Sequence, residues 1–575
     1  MEEVKRIPYG VSNFVEVVEQ NQYYVDKTMY LPLLEKQPSN LFFIRPRRFG
    51  KSIFLSMLRT YYDIAQKEKF EKRFSNLWIG SRPTQLQGTF QILFLDFSRV
   101  GGLDRTLAEN FDDYCCGGLD DFTSIYEPYY YPGFEKEMKA QYGTTNKLNF
   151  LNRKARNNGS KLYLIVDEYD NFTNVVLNEQ GDKVYHDLPH ASGFYCEIFK
   201  KFKGMFERIF MTGVSPVTLD DLTSGFNIGW NISTDHQFNM MLGFSETDVR
   251  EMLQYYKDAG QLPGNTNIDA MIEEMRPWYD NYCFTEESLE RDPKMFNCDM
   301  VFYYLRHYMT LGKSPKEMID PNTRTDYNKM KKLIRLDKLD GNRKGVLRKI
   351  TEDGQIVTTL TTTFPATDIT KPEIFPSLLF YYGMLTITAT RGNYLVLSIP
   401  NNNVRKQYYE FLLEEYQDNL HINLNDLGLM YYEMAYDGHW RETLEFIAHA
   451  YKENSSVRSA IERERNLQGF FTAYLSTNAY YLIAPEVELN HGYCDLFLMP
   501  DLIRYDVKHS YIIELKYLSV KDSEAKAEAQ WKEAVEQIKG YAAGPKVRRM
   551  IYDTELHCIV MQFRGWELER MEEVI

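Results

Sequence analysis

Two groups of residues near opposite ends of this 575-residue chain have types and spacings suited to phosphate chemistry. The first is Gly50, Lys51 and Ser52, which close the segment FIRPRRFGKS. In such a loop the glycine lets the backbone approach a ligand closely, and successive amides with a helix N-terminus cradle phosphate. Lys51 would reach the outer phosphates, and Ser52 would offer its hydroxyl to magnesium. The second group is Asp495 in GYCDLFLMP with Glu514 and Lys516 in YIIELKY. Asp495 and Glu514 would bind one or two magnesium ions that polarise a scissile phosphate. Lys516 would position or deprotonate water and offset transition-state charge.

Each group needs elements to hold it. LFFIR (41–45) is an apolar strand-type run, and GKSIFLSMLRTYYD places its apolar residues at helical spacing, giving strand, loop and helix. KLYLIVDEYDNF is a strand ending in two acids: Asp167 would hold the magnesium ion and Glu168 would orient or deprotonate the attacking water. Two further strand-like runs, Phe90 to Ser98 and Arg208 to Val217, complete an alternating pattern. It predicts a mostly parallel sheet with helices on both faces. Ligands collect at the carboxyl ends of such strands, which makes Thr212 and Ser215 candidate sensors of a terminal phosphate.

At the C-terminal end, Gly492 is placed in a turn and Tyr493 to Met499 in an alternating strand with Asp495 on one face. Glu514 and Lys516, two apart, share a face of the next strand, and a hairpin would bring Asp495 alongside them. Glu486, Glu488 and Glu464 are further candidate ligands. A helix over Ala527 to Gly544 would carry Gln537 and Tyr541, one turn apart, towards the cluster.

Plainer readings stand beside these. A GKS tripeptide also begins ordinary helices, an acidic strand end can cap the next helix, and Thr212 and Ser215 can serve loop turning. A surface Glu–Lys pair is energetically slight. The full phosphate-loop pattern also asks for glycine five residues before Gly50, where this chain has Arg45.

Taken together, IPYGVSNFVEVVEQNQYYVDKTMYLPLLE, FIRPRRFGKS, LYLIVDEYDNF and IFMTGVSPVTLDDLTSGFNI resemble the bacterial AAA-ATPase-like family, whose members often end in a PD-(D/E)XK nuclease-like domain. The resemblance covers about residues 6–285 and 455–570. It implies an ATP-binding P-loop fold, makes RPRRFGKS the usual loop form, and places Arg47, Arg48 and Phe49 in the cofactor-binding loop beside Gly50, Lys51 and Ser52. At the C-terminal end, CD and ELK stand where the name-giving motif has PD and ExK, and the metal-binding groups are present. The expected fold class is therefore α/β: residues 1–285 an AAA-like P-loop domain with a parallel sheet, 286–455 a mostly helical and winged-helix-like region, and 456–575 a PD-(D/E)XK restriction-endonuclease-like α/β domain.

The middle carries no catalytic motif. MVFYYLRHYM and VRKQYYEFLLEEY read as helices with core aromatics. FPSLLFYYGMLTITATRGNYLVLSIPN reads as a helix followed by a hairpin, the winged-helix pattern. Nine basic residues between Lys329 and Lys349, against Asp337 and Asp340, form a solvated face or a nucleic-acid contact.

A net charge of −14 argues against a protein coated in basic surface. Seven scattered cysteines without CxxC or Cys/His spacing read as reduced thiols. No apolar run approaches a membrane span, and the N-terminus lacks a signal pattern, so the cytoplasm is expected. ATP and Mg2+ are the expected cofactors and a nucleic acid, DNA first, the expected partner. No arginine finger is assignable within the chain; a neighbouring subunit could supply one, and the family resemblance implies an assembly, a homo-oligomer. The function these features support is an ATP-binding protein coupled to a magnesium-dependent nuclease acting on DNA, in defence or mobile-element biology. The alternative is a non-enzymatic ATP-binding switch whose C-terminal domain recognises nucleic acid or a protein.

Overall fold

The apolar runs of the N-terminal third become parallel strands because both of their faces are covered, so they need no polar alternation. In the computed structural model these are β1 (Asn40–Ile44), β2 (Gln91–Asp96), β3 (Leu162–Asp167) and β4 (Arg208–Gly213). The structure describes residues 3–101, 106–171, 197–218, 229–322, 343–365, 368, 371–417, 424–453, 464–489 and 492–574. Two short strands follow, β5 (Val217–Thr218) and β6 (Trp230–Asn231). The sheet order is β2-β3-β4-β1-β6, with each described pairing parallel. Helix Lys51–Tyr62 follows β1, and helices Leu107–Tyr126 and Gly143–Asn158 bridge β2 and β3. The first of these bridging helices starts with a reciprocal capping box between Thr106 and Glu109.

The chain divides into two compact units, one spanning most of residues 1–402, the other holding 403–575 with 315–317 and 347–354. Within the first unit the expected helices over the middle segments are observed as Cys298–Leu311 and Phe375–Tyr381. The hairpin is β9 (Thr386–Arg391) and β10 (Tyr394–Ser398), turning at Gly392 and Asn393. It is joined by β7 (Gln355–Thr358) in a three-stranded antiparallel sheet, while β8 (Phe364–Pro365) pairs with β5. Most of the basic stretch, residues 329–342, lies outside the described residues.

The second unit contains helix Asn402–Gln417, over the expected VRKQYYEFLLEEY segment, and a five-stranded sheet in sequence order. Its strands are β11 (Tyr481–Leu489), β12 (Gly492–Pro500), β13 (His509–Leu518), β14 (Glu555–Arg564) and β15 (Glu567–Glu573). β13 and β14 run parallel and the other neighbours antiparallel, because helix Glu524–Ala542 crosses over between β13 and β14. One sheet face packs Leu496, Tyr511, Ile513 and Leu515 against Phe470, Phe471 and Tyr474 of helix Glu464–Leu475. The other packs Cys494, Phe497 and Ile512 against Trp531, Ile538 and Tyr541. Among the described residues, no helix is long and apolar enough to cross a membrane, and six cysteines are free thiols.

Candidate functional site

The N-terminal site is built where β1, β3 and β4 end. Lys51 opens the helix after β1, with Gly50 as its N-cap at φ +88°, a left-handed conformation that glycine adopts without steric cost. The Lys51 ammonium is buried and donates to the carbonyls of Arg45 (3.0 Å) and Pro46 (2.9 Å). Burial lowers its pKa, opposed by the charges of Asp167 and Glu168. Ser52 Oγ donates to Asp167 Oδ2 at 2.6 Å, and Thr212 Oγ1 to Asp167 Oδ1 at 2.7 Å. The parallel register makes this possible, since it carries β3 and β4 to neighbouring ends.

Glu168 sits at φ +48° and Arg48 at φ +66°, uncommon conformations for residues with side chains. Arg47 reaches within 3.8 Å of the Glu168 carboxylate. Arg48 instead donates to the Asn322 carbonyl at 2.5 Å and lies 3.6 Å from Asp299. The Phe49 ring turns into the core, edge-on to Tyr282 and Phe284, so its backbone is the part left to the loop. Ser215 does not join the Asp167 group: its hydroxyl and amide both donate to Asp170 Oδ2 at 2.8 Å.

Sequence reasoning passed over three features here. Asp170, 1% exposed, ties the chain after β4 through Val214 and Ser215. Arg45 lies fully buried between the Phe43 and Phe284 rings, 4.2 Å from each centroid, and donates to the carbonyls of Ile44, Ser233 and Phe238. The position where glycine is usual in a phosphate loop is thus a side-chain anchor for the loop's base. Third, an apolar pocket adjoins Gly50, lined among others by Tyr24, Phe49, Ile53, Phe244 and Phe302. Pro8, Tyr23, Tyr24, Val25 and Lys27 of its lining come from the IPYG and YYVDKT segments, whose motif character was the available signal.

The C-terminal site follows from the hairpin register. β12 and β13 pair from Leu498↔Tyr511 to Leu496↔Ile513, and one step further stand Asp495 and Glu514. Asp495 Oδ2 accepts from Leu515 N at 2.7 Å, while Asp495 N lies 3.5 Å from Glu514 Oε2. Lys516 Nζ donates to Glu514 Oε1 at 2.9 Å, and Glu514 is only 2% exposed. The structure therefore brings Asp495, Glu514 and Lys516 together. Alternation slips at Asp495, because Cys494 and Phe497 share one apolar cluster while Leu496 and Leu498 share the other.

Tyr541 donates to the Tyr493 carbonyl at 2.9 Å. Its pKa is pushed up to about 12, first by burial and then by Glu514. The same two causes, burial first, push the Cys494 thiol up to about 12. Gly492 begins β12 and gives the Tyr541 ring its room, since a Cβ there would lie 2.8 Å from the ring. The Gln537 Oε1 atom is buried and has no hydrogen-bond partner among the described residues. Gln468, on the preceding helix, donates to the Asp495 carbonyl at 2.8 Å and was not foreseen. The side chains of Glu464, Glu486 and Glu488 lie outside what the structure describes.

Both donor sets are dominated by oxygen, which suits a hard cation such as magnesium. A parallel sheet with a phosphate-type loop at the strand ends defines a nucleotide-binding class. Two carboxylates and a lysine on a hairpin framed by helices define a nuclease-like one. Comparison with known proteins agrees: residues 8–223 match the family model described as "Predicted AAA-ATPase", and residues 462–573 match the PD-(D/E)XK nuclease superfamily. The chain joins an AAA-ATPase-like domain to a PD-(D/E)XK nuclease-like domain. It is also 26% identical over 287 residues to an "Uncharacterized protein in vnfD 5'region" of Azotobacter chroococcum mcd 1, a match covering 50% of each chain. The chain thus aligns with about half the length of that curated relative.

Proposed function

We propose that the protein binds ATP in its N-terminal domain and uses its C-terminal domain as a magnesium-dependent nuclease on DNA. The observation that carries the reading is the Asp495, Glu514 and Lys516 cluster, with Glu514 buried and held to Lys516 at 2.9 Å. A buried carboxylate is costly unless compensated, so a structure that keeps one beside a second carboxylate has a use for their joint charge.

At the N-terminal site, Ser52 and Asp167 would hold magnesium, and Lys51 would exchange its two loop carbonyls for phosphate oxygens. The apolar pocket beside Gly50 would take the base. Glu168 would orient water, with Arg47 holding its carboxylate, and Thr212 keeps Asp167 in place. At the C-terminal site, Asp495 and Glu514 would hold the ion, Lys516 would position water, and the Leu515 amide fixes the Asp495 carboxylate. At both sites magnesium, when bound, draws charge from phosphate oxygens. An arginine finger supplied by a second copy would complete the ATPase site in a homo-oligomer. Free thiols suit a reducing compartment such as the cytoplasm, where foreign or mobile DNA is the expected substrate.

Incubation of supercoiled DNA with Mg2+ tests this reading. Wild type is expected to nick or cut, and folded Asp495→Ala and Lys516→Ala variants are expected not to. Cleavage unaffected by both substitutions would remove the proposed site.

One observation favours a second reading, a nucleotide switch whose C-terminal domain only recognises a partner. The cluster already satisfies itself, because Asp495 accepts the Leu515 amide and Glu514 accepts the Lys516 ammonium. Under this reading no cleavage occurs at any Mg2+ concentration. DNA affinity that falls steeply with salt would then identify nucleic acid as the partner, and salt-insensitive or absent binding a protein.

A further inference from the structure

The far end of the C-terminal sheet carries a group that neither domain's phosphate chemistry uses. In the parallel register, β13 begins opposite β14 with His509↔Glu555, and Tyr511↔His557 follows two steps on. His509, Glu555 and His557 each present one ligand atom, all within 4.8 Å of one another. His509 Nδ1 lies 2.9 Å from His557 Nε2 and 3.4 Å from Glu555 Oε2. Tetrahedral bonds of about 2.0–2.2 Å set ligand atoms roughly 3.3–3.6 Å apart. The His509–Glu555 separation matches, and the two ring nitrogens, hydrogen-bonded at 2.9 Å without the ion, would open by a few tenths of an ångström to hold one.

The surroundings fix the rings for that task. His557 Nδ1 lies 2.6 Å from Glu573 Oε1, and the other Glu573 oxygen accepts from Trp440 Nε1 at 3.1 Å. That carboxylate holds the proton on Nδ1 and leaves the Nε2 lone pair facing His509 and Glu555. The Tyr511 ring stacks on His557 at 4.9 Å and 17°. The His509 ring packs against Gly438, where a Cβ would lie 3.0 Å from it.

We propose that His509, His557 and Glu555 form a site for a borderline transition-metal ion, Zn2+ first, with Glu573 as the positioning residue and the fourth coordination position open to water. Two imidazoles and one carboxylate select zinc over magnesium or calcium. The site is separate from the Asp495 cluster. His509 precedes Glu514 by five residues on β13, about 17 Å at ~3.3 Å per residue, and an odd spacing puts the two side chains on opposite faces. Its occupation would pin β13, β14 and β15 together at one end of the sheet.

Full-length protein, stripped by chelator and titrated with Co2+, tests the proposal by visible absorption. The expected result is one equivalent of Co2+ with the intense bands of low coordination number, displaced by Zn2+, and unchanged in Asp495→Ala/Glu514→Gln. His509→Gln and His557→Gln should abolish the bands, and Glu573→Gln should weaken binding about 10–100-fold. Glu555→Gln alters a side chain that is 70% exposed, so it keeps the fold and should still weaken binding at least about 10-fold. Absence of bands in wild type, bands that survive both histidine substitutions, unchanged affinity in Glu555→Gln, or bands lost with Asp495 and Glu514 would each overturn the site.

Discussion

The two sites proposed for phosphate chemistry are assembled in opposite ways. The N-terminal one draws Ser52, Asp167 and Thr212 from three segments and meets only because β1, β3 and β4 end side by side. The C-terminal one needs only two antiparallel strands in register, with Asp495 opposite Glu514 and Lys516 two residues on. The first is therefore held by long-range topology and a buried anchor, Arg45, and the second by local pairing. Damage to the support should unmake the first through stability, whereas damage to the second should act on chemistry while leaving the fold intact.

Glu514→Gln makes the sharpest test of that contrast. It keeps the shape and removes the charge, so cleavage should fall by about 100-fold or more, the scale of losing one preorganised charge interaction in a desolvated site. The denaturation midpoint should fall less than in Arg45→Ala, because one pair with Lys516 is weakened and the Gln oxygen still accepts from it. A large stability loss with residual cleavage would erase the distinction.

Arg45→Ala should do the reverse. Three carbonyls lose their donor and two rings lose a stacked guanidinium. Unsatisfied buried groups cost about 1–3 kcal/mol each, so a loss of roughly 3 kcal/mol or more is expected in chemical denaturation of the first unit. Arg45→Lys should not restore it, because one ammonium cannot reproduce the planar fork.

Asp170→Asn is the next step down. It weakens the charge-assisted bonds to Val214 and Ser215 and should cost about 1.5–3 kcal/mol, read as a lower denaturant midpoint. The smallest effect belongs to Tyr541→Phe, which removes one bond to the Tyr493 carbonyl, about 1 kcal/mol. Cleavage should persist within about 10-fold of wild type, since the Tyr541 hydroxyl supports the strand and contributes no charge at neutral pH.

What the sequence made legible follows the same divide. Strand-type apolar runs, the helix opening at Lys51, the β9–β10 hairpin and the crossover helix before β14 were readable, because each is written in contiguous residues. Observed bounds differ by a few residues, as with Glu524–Ala542 for a helix expected over Ala527 to Gly544. The Asp495–Glu514–Lys516 grouping was readable because Glu514 and Lys516 alternate onto one face of β13 and β12 pairs with it in sequence order, although the slip of alternation at Asp495 was not. Partners chosen across crossovers were not. Thr212 meets Asp167, Ser215 meets Asp170, Gln468 meets Asp495, and Arg45 meets Ser233 only after the chain has folded. The His509–His557 pair was hidden for the same reason, since a whole helix separates two strands that lie adjacent in space.

The most direct test of the account is titration of the purified protein with a labelled ATP analogue, with and without Mg2+, for wild type and Lys51→Ala. The account predicts magnesium-enhanced binding in wild type. In the variant, affinity should drop by about 10-fold or more, the worth of one or two charge-assisted hydrogen bonds at about 1.5–3 kcal/mol each. Equal binding by both proteins, or none by wild type at millimolar analogue, would contradict a nucleotide site at Lys51.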